Sequence, residues 1–185
     1  MKERPYGRDQ VRAAITVAAR KRFARVGLSA SLRDIAEDAN VNLGLVHRHF
    51  GSKDTLVRAV LSDVAERGHT RIAGIETLPE ALDMMIRATT SGDDAYARMV
   101  AWMLLEGEDP QEFQDEFPTI ARLVDLAGPQ RRDLVLLVLV TTFGWQIFSR
   151  HLTTAVGYDS ENTAGAKLAQ LLQHVAASFE PTSQS

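Results

Sequence analysis

Residues 31–53, SLRDIAEDANVNLGLVHRHFGSK, decide the fold. They read as a short helix, a tight turn, a second helix and the capped start of a third. Ser31 is a good N-cap with Asp34 three positions on, a weak capping box, and LRDIAEDA continues as one helix. After glycine, asparagine most readily takes a left-handed backbone, so the chain can reverse at Asn40 before Asn42 caps the next helix.

The second helix, residues 42–50, is best read by its faces. With Val46 and Phe50 turned inward against Ile35, Ala36 and Val41, the 100° step per residue turns Gly44, Leu45 and Arg48 outward, with Leu43 and His47 flanking. That face is unusual for a solvated helix. It spends a mid-helix glycine, at a cost of roughly 1 kcal/mol against alanine. A glycine is useful there if something must approach the backbone, and exposed leucine is useful against thymine methyl groups. A helix-turn-helix presents its second helix to the major groove of double-stranded DNA in this way.

VNLGLVHRHFGSKDTL, residues 41–56, resembles the recognition segment of the TetR family of transcriptional repressors, and the resemblance reaches back to about Asp9. Asn40 stands where glycine is usual in that family, Leu45 where threonine is common, and His47 where a tyrosine usually touches a phosphate. The resemblance implies that Arg33 reaches a base or phosphate. Lys53, in the first turn of the third helix, lies where free N–H groups and the helix dipole favour a phosphate oxygen. The expected DNA-binding set is Ser31, Arg33, Asn42, Leu43, Gly44, Leu45, His47, Arg48, His49 and Lys53.

Charge supports this reading. Residues 1–53 carry 11 Lys+Arg against 5 Asp+Glu, leaving +6, and residues 54–185 carry 10 against 19, leaving −9, which together make the net −3. A basic first third on an acidic body is the footprint of a protein that meets a polyanion with one end. The residues before the first helix include Lys2 and Arg4, a short basic arm that could reach phosphates but more often is a solvated tail.

With 185 residues, 45% of them hydrophobic, the chain can bury a substantial core. It has no cysteine, which excludes a disulfide framework and thiolate chemistry and suits a reducing compartment. No apolar leader opens it, and residues 134–148 are too short to span a bilayer. These features predict a soluble, cytoplasmic protein with no membrane partner.

The remaining pattern is helical throughout. A first helix over residues 8–26 carries Val11, Ile15, Ala18, Ala19, Phe23 and Val26 on one stripe and stops at Gly27. A long helix covers residues 53–74, at 1.5 Å per residue about 30 Å. Further helices follow near 79–90, 94–106 and 118–127, then 129–152 and 160–179. LVLLVLV at 134–140 is also compatible with a buried strand, but its apolar pattern continues through Phe148 at helix length, and no other segment offers a strand partner. A helix apolar all round must be covered on all sides. The last two helices carry more apolar surface than one protomer needs, so Leu137, Val140, Leu168, Leu171, Leu172 and Val175 are expected in a homodimeric four-helix interface, as the resemblance also implies.

No catalytic or metal constellation is visible. His47 and His49 are two apart and point in different directions on a helix, and the other histidines are scattered. No Ser–His–carboxylate set, phosphate loop or H-E-x-x-H occurs. The acidic loop EGEDPQEFQDE lacks the glycine and spacing of a calcium loop. No enzyme activity, metal or cofactor is expected. Met84, Met99, Trp102, Met103, Phe117, Trp145 and Phe148 would individually be ordinary core, but together they can line an apolar cavity. The resemblance implies an inducer pocket here without identifying the small molecule.

The sequence therefore predicts an all-α protein. Residues 1–52 form a three-helix helix-turn-helix DNA-binding domain, joined by a long helix to a ligand-binding and dimerisation bundle within residues 53–185. It would act as a homodimeric repressor on a palindromic operator, released by a small-molecule inducer. The alternative is a helix-turn-helix protein whose body only dimerises or docks a protein partner. Substituting Leu45 is expected to change sequence preference at one or two base pairs, read by selection of bound sites from random DNA; an unchanged preference removes this helix from the groove.

Overall fold

In the computed structural model, described for residues 5–89 and 94–178, nine α-helices run in the order α1 Arg8–Val26, α2 Leu32–Asp38, α3 Leu43–Phe50, α4 Lys53–Ile72, α5 Leu78–Thr89, α6 Ala95–Leu105, α7 Pro118–Ala127, α8 Arg132–Ala155 and α9 Glu161–Ser178. Short 3-10 turns occupy Gly27–Ser29, Pro110–Glu112 and Pro129–Arg131. No strand occurs among the described residues, and residues 134–140 are helical. The basic arm at Lys2 and Arg4, and the end of the last expected helix at Phe179, lie outside the described residues.

The chain folds into two compact units. The first contains residues 1–66 and 95–116, the second residues 67–94 and 117–185. These limits differ from a division at residue 52: α6, with most of α4, belongs with the helix-turn-helix. Sequence pattern alone says which helices are amphipathic but not which neighbour covers each stripe.

In the first unit the α1 stripe packs onto its neighbours as spaced: Ile15, Ala19 and Phe23 are fully buried with Ile35, Val46, Leu56, Val60 and Leu61. Met99 and Met103, four apart on α6, close the same core. Burial pushes the Tyr96 phenol up, and its O–H donates to Gln114 Oε1 at 3.0 Å.

The turn between α2 and α3 is closed by two backbone bonds, Val41 N–H to Ala36 O at 2.9 Å and Asn40 N–H to Glu37 O at 3.0 Å. This is the Schellman pattern with Asn40 at the left-handed position, φ 56°. Ser31 Oγ accepts the Asp34 N–H at 3.1 Å to cap α2, and Asn42 Oδ1 accepts the Leu45 N–H at 2.9 Å to cap α3. Gly51, φ 72°, ends α3, and Ser52 Oγ accepts the Thr55 N–H at 3.1 Å to start α4.

In the second unit Ile72, Leu82, Ile86, Leu123, Leu134, Val138 and Leu172 form a separate core. Gln173 on α9 donates to Asp83 on α5, and the hydrogen bond from Arg87 holds the Asp83 carboxyl below the ordinary carboxylate range. By length and composition α8 would suffice to cross a bilayer, a correction to the estimate from the shorter apolar run. Yet its Leu134, Val135 and Val138 face are spent in this core, as in a bundle helix.

Because the α2–α3 reversal needs one left-handed residue, Asn40→Gly is expected to leave stability within a few tenths of a kcal/mol, whereas Asn40→Val should cost roughly 1–2 kcal/mol. Urea unfolding checks both; equal stability of the two variants refutes the backbone argument.

Candidate DNA interface

The interface is built on α3, whose inward residues Val46 and Phe50 are buried in the first core. Gly44, His47 and Arg48 are exposed, as the 100° rotation predicts. Leu43, Leu45 and His49 are half-buried, and both leucines also pack against the core. Leu45 is therefore less outward than its spacing suggests. A Cβ on Gly44 would meet only the capping Asn42 Oδ1, at 3.3 Å, so no other element excludes a side chain there. The close approach that this glycine permits is toward the outside.

The cations sort by partner. Arg22 is committed to Asp38 at 2.7 Å and lies 4.0 Å from Asp34, so part of the basic excess is spent inside the unit. Arg12 on α1 donates from Nη1 to the His49 carbonyl at 3.2 Å, and its guanidinium lies 4.5 Å from the Phe50 ring centroid. A cation there satisfies an end carbonyl of α3 and complements the negative end of its dipole. Arg33 and Arg48 are exposed and form no hydrogen bond or ion pair with the described residues. They are the cations of the expected set most open to a phosphate or a guanine edge.

His47 Nδ1 lies 3.1 Å from the Gly51 carbonyl oxygen, which turns the ring back along the end of α3. Lys53 does not project freely from the start of α4: its ammonium donates to the Leu28 carbonyl. Ser31 and Asn42 each spend a side-chain oxygen on a cap, leaving the Ser31 hydroxyl proton and the Asn42 amide group as outward donors. Sequence reasoning missed Arg12. Its spacing of four from Arg8 and from Thr16 marks no motif, and only the packing of α1 against α3 brings it to the helix end.

Residues 15–60, which include α2, α3 and the start of α4, match the family model of bacterial regulatory proteins, tetR family. Over 162 residues the chain is 38% identical to the HTH-type transcriptional repressor Rv3405c of Mycobacterium tuberculosis, spanning 84% of this chain and 82% of that protein. The chain belongs to the TetR family. Among solved structures, Salmonella enterica GusR aligns with TM-score 0.67 at 22% identity over 96% of this chain and 98% of its own. NalD, the secondary repressor of the MexAB-OprM multidrug efflux pump in Pseudomonas aeruginosa, aligns with TM-score 0.57 at 22% identity, over 89% and 94%. Both likenesses are of fold. The protein is thus a TetR-type transcriptional regulator, of a family that binds DNA and is not one of enzymes.

The residues expected to line a pocket fall in both units of this TetR-family chain. Met99 and Met103 are fully buried in the first core, while Trp102 on the same helix is 38% exposed. Met84, Phe117, Trp145 and Phe148 belong to the second unit, where Met84 and Phe148 are exposed at 39% and 53%. Trp145 lines a crevice with Ile86, Thr141, Thr142, Gly165, Leu168, Ala169 and Leu172, and it encloses about 10 Å³. That is room for one water molecule.

Of the residues expected in the dimer interface, Leu137, Val140 and Leu171 are exposed at 43%, 62% and 64%. Leu168 and Val175 are half-buried. Leu172 is only 7% exposed and belongs to the second core of its own protomer.

Since Arg12 is tied both to the His49 carbonyl near the end of α3 and to the Phe50 ring, Arg12→Ala is expected to cost roughly 1 kcal/mol. It should also raise amide hydrogen exchange at residues 47–51; unchanged exchange there refutes the capping role.

Proposed function

We propose that this protein is a repressor that binds a palindromic operator as a homodimer and is released by a small-molecule inducer. Residues 1–52 are the DNA-binding portion and residues 53–185 the portion that dimerises and receives the ligand. The observation that carries the DNA-binding reading is the outward side of α3, where an open Gly44 backbone lies beside an exposed Arg48, with an exposed Arg33 on α2. Arg33, Arg48 and Lys53 serve the phosphates or guanine edges, and Leu43 and Leu45 serve apolar base edges. The name of the M. tuberculosis relative supports repression as the direction of control.

The homodimer rests on α8 and α9. Leu136, Leu137, Val140, Phe148 and Leu152 are all exposed along α8, with 136, 140, 148 and 152 separated by four or eight residues, and Leu171 is exposed on α9. Such a contiguous apolar face on a water-exposed protein is an interface, and two copies meeting through it form an isologous pair. Two-fold symmetry then demands operator half-sites about 34–36 Å apart or a multiple of that.

For the inducer, the crevice around Trp145 is the place where a flat apolar molecule would enter by parting α8 from α5 and α9. Its present size also favours a second reading, in which the body only dimerises or docks a protein. Selection of bound sites from random DNA, followed by a small-molecule screen read by Trp fluorescence and operator release, separates the two.

Val140→Glu and Leu171→Glu are expected to give folded monomers by light scattering at micromolar concentration, because each places a carboxylate in the shared face alone. Leu172→Glu should unfold the protomer itself, since an unpaired carboxylate in its core costs several kcal/mol. A native chain that is monomeric at that concentration refutes the dimer.

A further inference from the structure

Leu28 is held at both of its backbone polar groups by charged side chains, one from the start of α4 and one from just past the end of α6. Its N–H donates to Glu106 Oε2 at 3.3 Å, and its carbonyl oxygen accepts from the Lys53 ammonium. Glu106 follows directly on the last turn of α6, and Lys53 is the first residue of α4. Gly27 is what lets α6 come so near. It has φ 65°, and a Cβ on it would lie 2.6 Å from Glu106 Oε1 and 3.2 Å from Trp102 Cβ. Its own N–H is already bonded to the Phe23 carbonyl, which ends α1. The turn Gly27–Ser29 is therefore pinned by α1 at one end and by the close of α6 over its backbone.

We propose that Glu106 is a positioning residue for DNA binding. By holding the Leu28 N–H it fixes the Leu28 carbonyl, and that carbonyl holds the Lys53 ammonium at the start of α4. An ammonium has three donors, so one can stay on Leu28 while the others meet a phosphate. A lysine already held in place loses less side-chain freedom on reaching the phosphate than a free one. The inference rests on the reading of Lys53 as a phosphate contact.

The sign of the effect separates positioning from charge. A carboxylate near DNA repels it, so if charge alone mattered, removing Glu106 would tighten binding. Positioning requires the opposite. Binding of the full-length protein to a random-sequence DNA duplex is to be followed by fluorescence anisotropy across a salt series. Lys53→Ala should weaken binding and flatten the slope of log K against log salt by about one unit for each lysine lost. Glu106→Ala should weaken binding roughly threefold to tenfold, with a slope moving toward that of Lys53→Ala. Glu106→Gln keeps an oxygen that accepts the Leu28 N–H and should stay within about twofold of the native affinity or bind more tightly. In the Lys53→Ala background, Glu106→Ala should add no further loss.

A general loss of folded protein would reduce the active fraction without changing the slope. Glu106→Ala binding as tightly as the native protein, or losing affinity additively with Lys53→Ala, overturns the proposal. Lys53→Ala with native affinity and slope overturns instead the phosphate reading beneath it.

Discussion

The aromatic ring of Phe23 has no exposed surface, and the helix-turn-helix takes its shape around it. Helix α2 is too short to be stable alone, and α3 is hardly longer. What holds them is the apolar surface they share with α1 and the start of α4: Ile35 and Ala36 from one, Val46 and Phe50 from the other, against Ile15, Ala19 and Phe23. Once Val46 and Phe50 are committed inward, rotation about the helix axis leaves Gly44 and Arg48 outward. The side of α3 offered to a partner is thus a consequence of which side the core takes.

The same logic distributes the charges. The excess of cations in the first third is not a uniform positive surface. Arg22 is neutralised by Asp38 and Arg12 serves the end of α3, while Arg33 on α2 and Arg48 on α3 stay exposed. Ionic contacts made inside the unit cost the interface some charge and return order to the elements that carry the rest. A phosphate-binding surface built this way depends on geometry as much as on net charge, since each guanidinium must be both unpaired and aimed outward.

Helix α8 shows how one sequence run can face two environments. LVLLVLV has no polar residue, yet Leu134, Val135 and Val138 are buried while Leu136, Leu137 and Val140 are exposed. The buried side belongs to the second core with Leu82 and Leu172, and the other side is exposed. An apolar run with no polar stripe satisfies one neighbour and leaves a demand for a second.

Residues 31–53 by themselves determined the helix-turn-helix. Its caps at Ser31, Asn42 and Ser52, its left-handed residue Asn40 and its apolar spacing are local features, set by hydrogen bonds and backbone preferences within a few positions. The helical class, the stop at Gly27 and the split of charge were legible for the same reason. What only the tertiary structure decided were the partnerships between distant segments. That α6 joins the first unit through Met99 and Met103, that Leu172 is core while Leu171 is exposed, that Arg12 reaches the end of α3, and that Lys53 is held by Leu28 all depend on which amphipathic stripe meets which. Many pairings bury similar apolar area, so periodicity names the faces but the choice among them belongs to the packing of the whole chain.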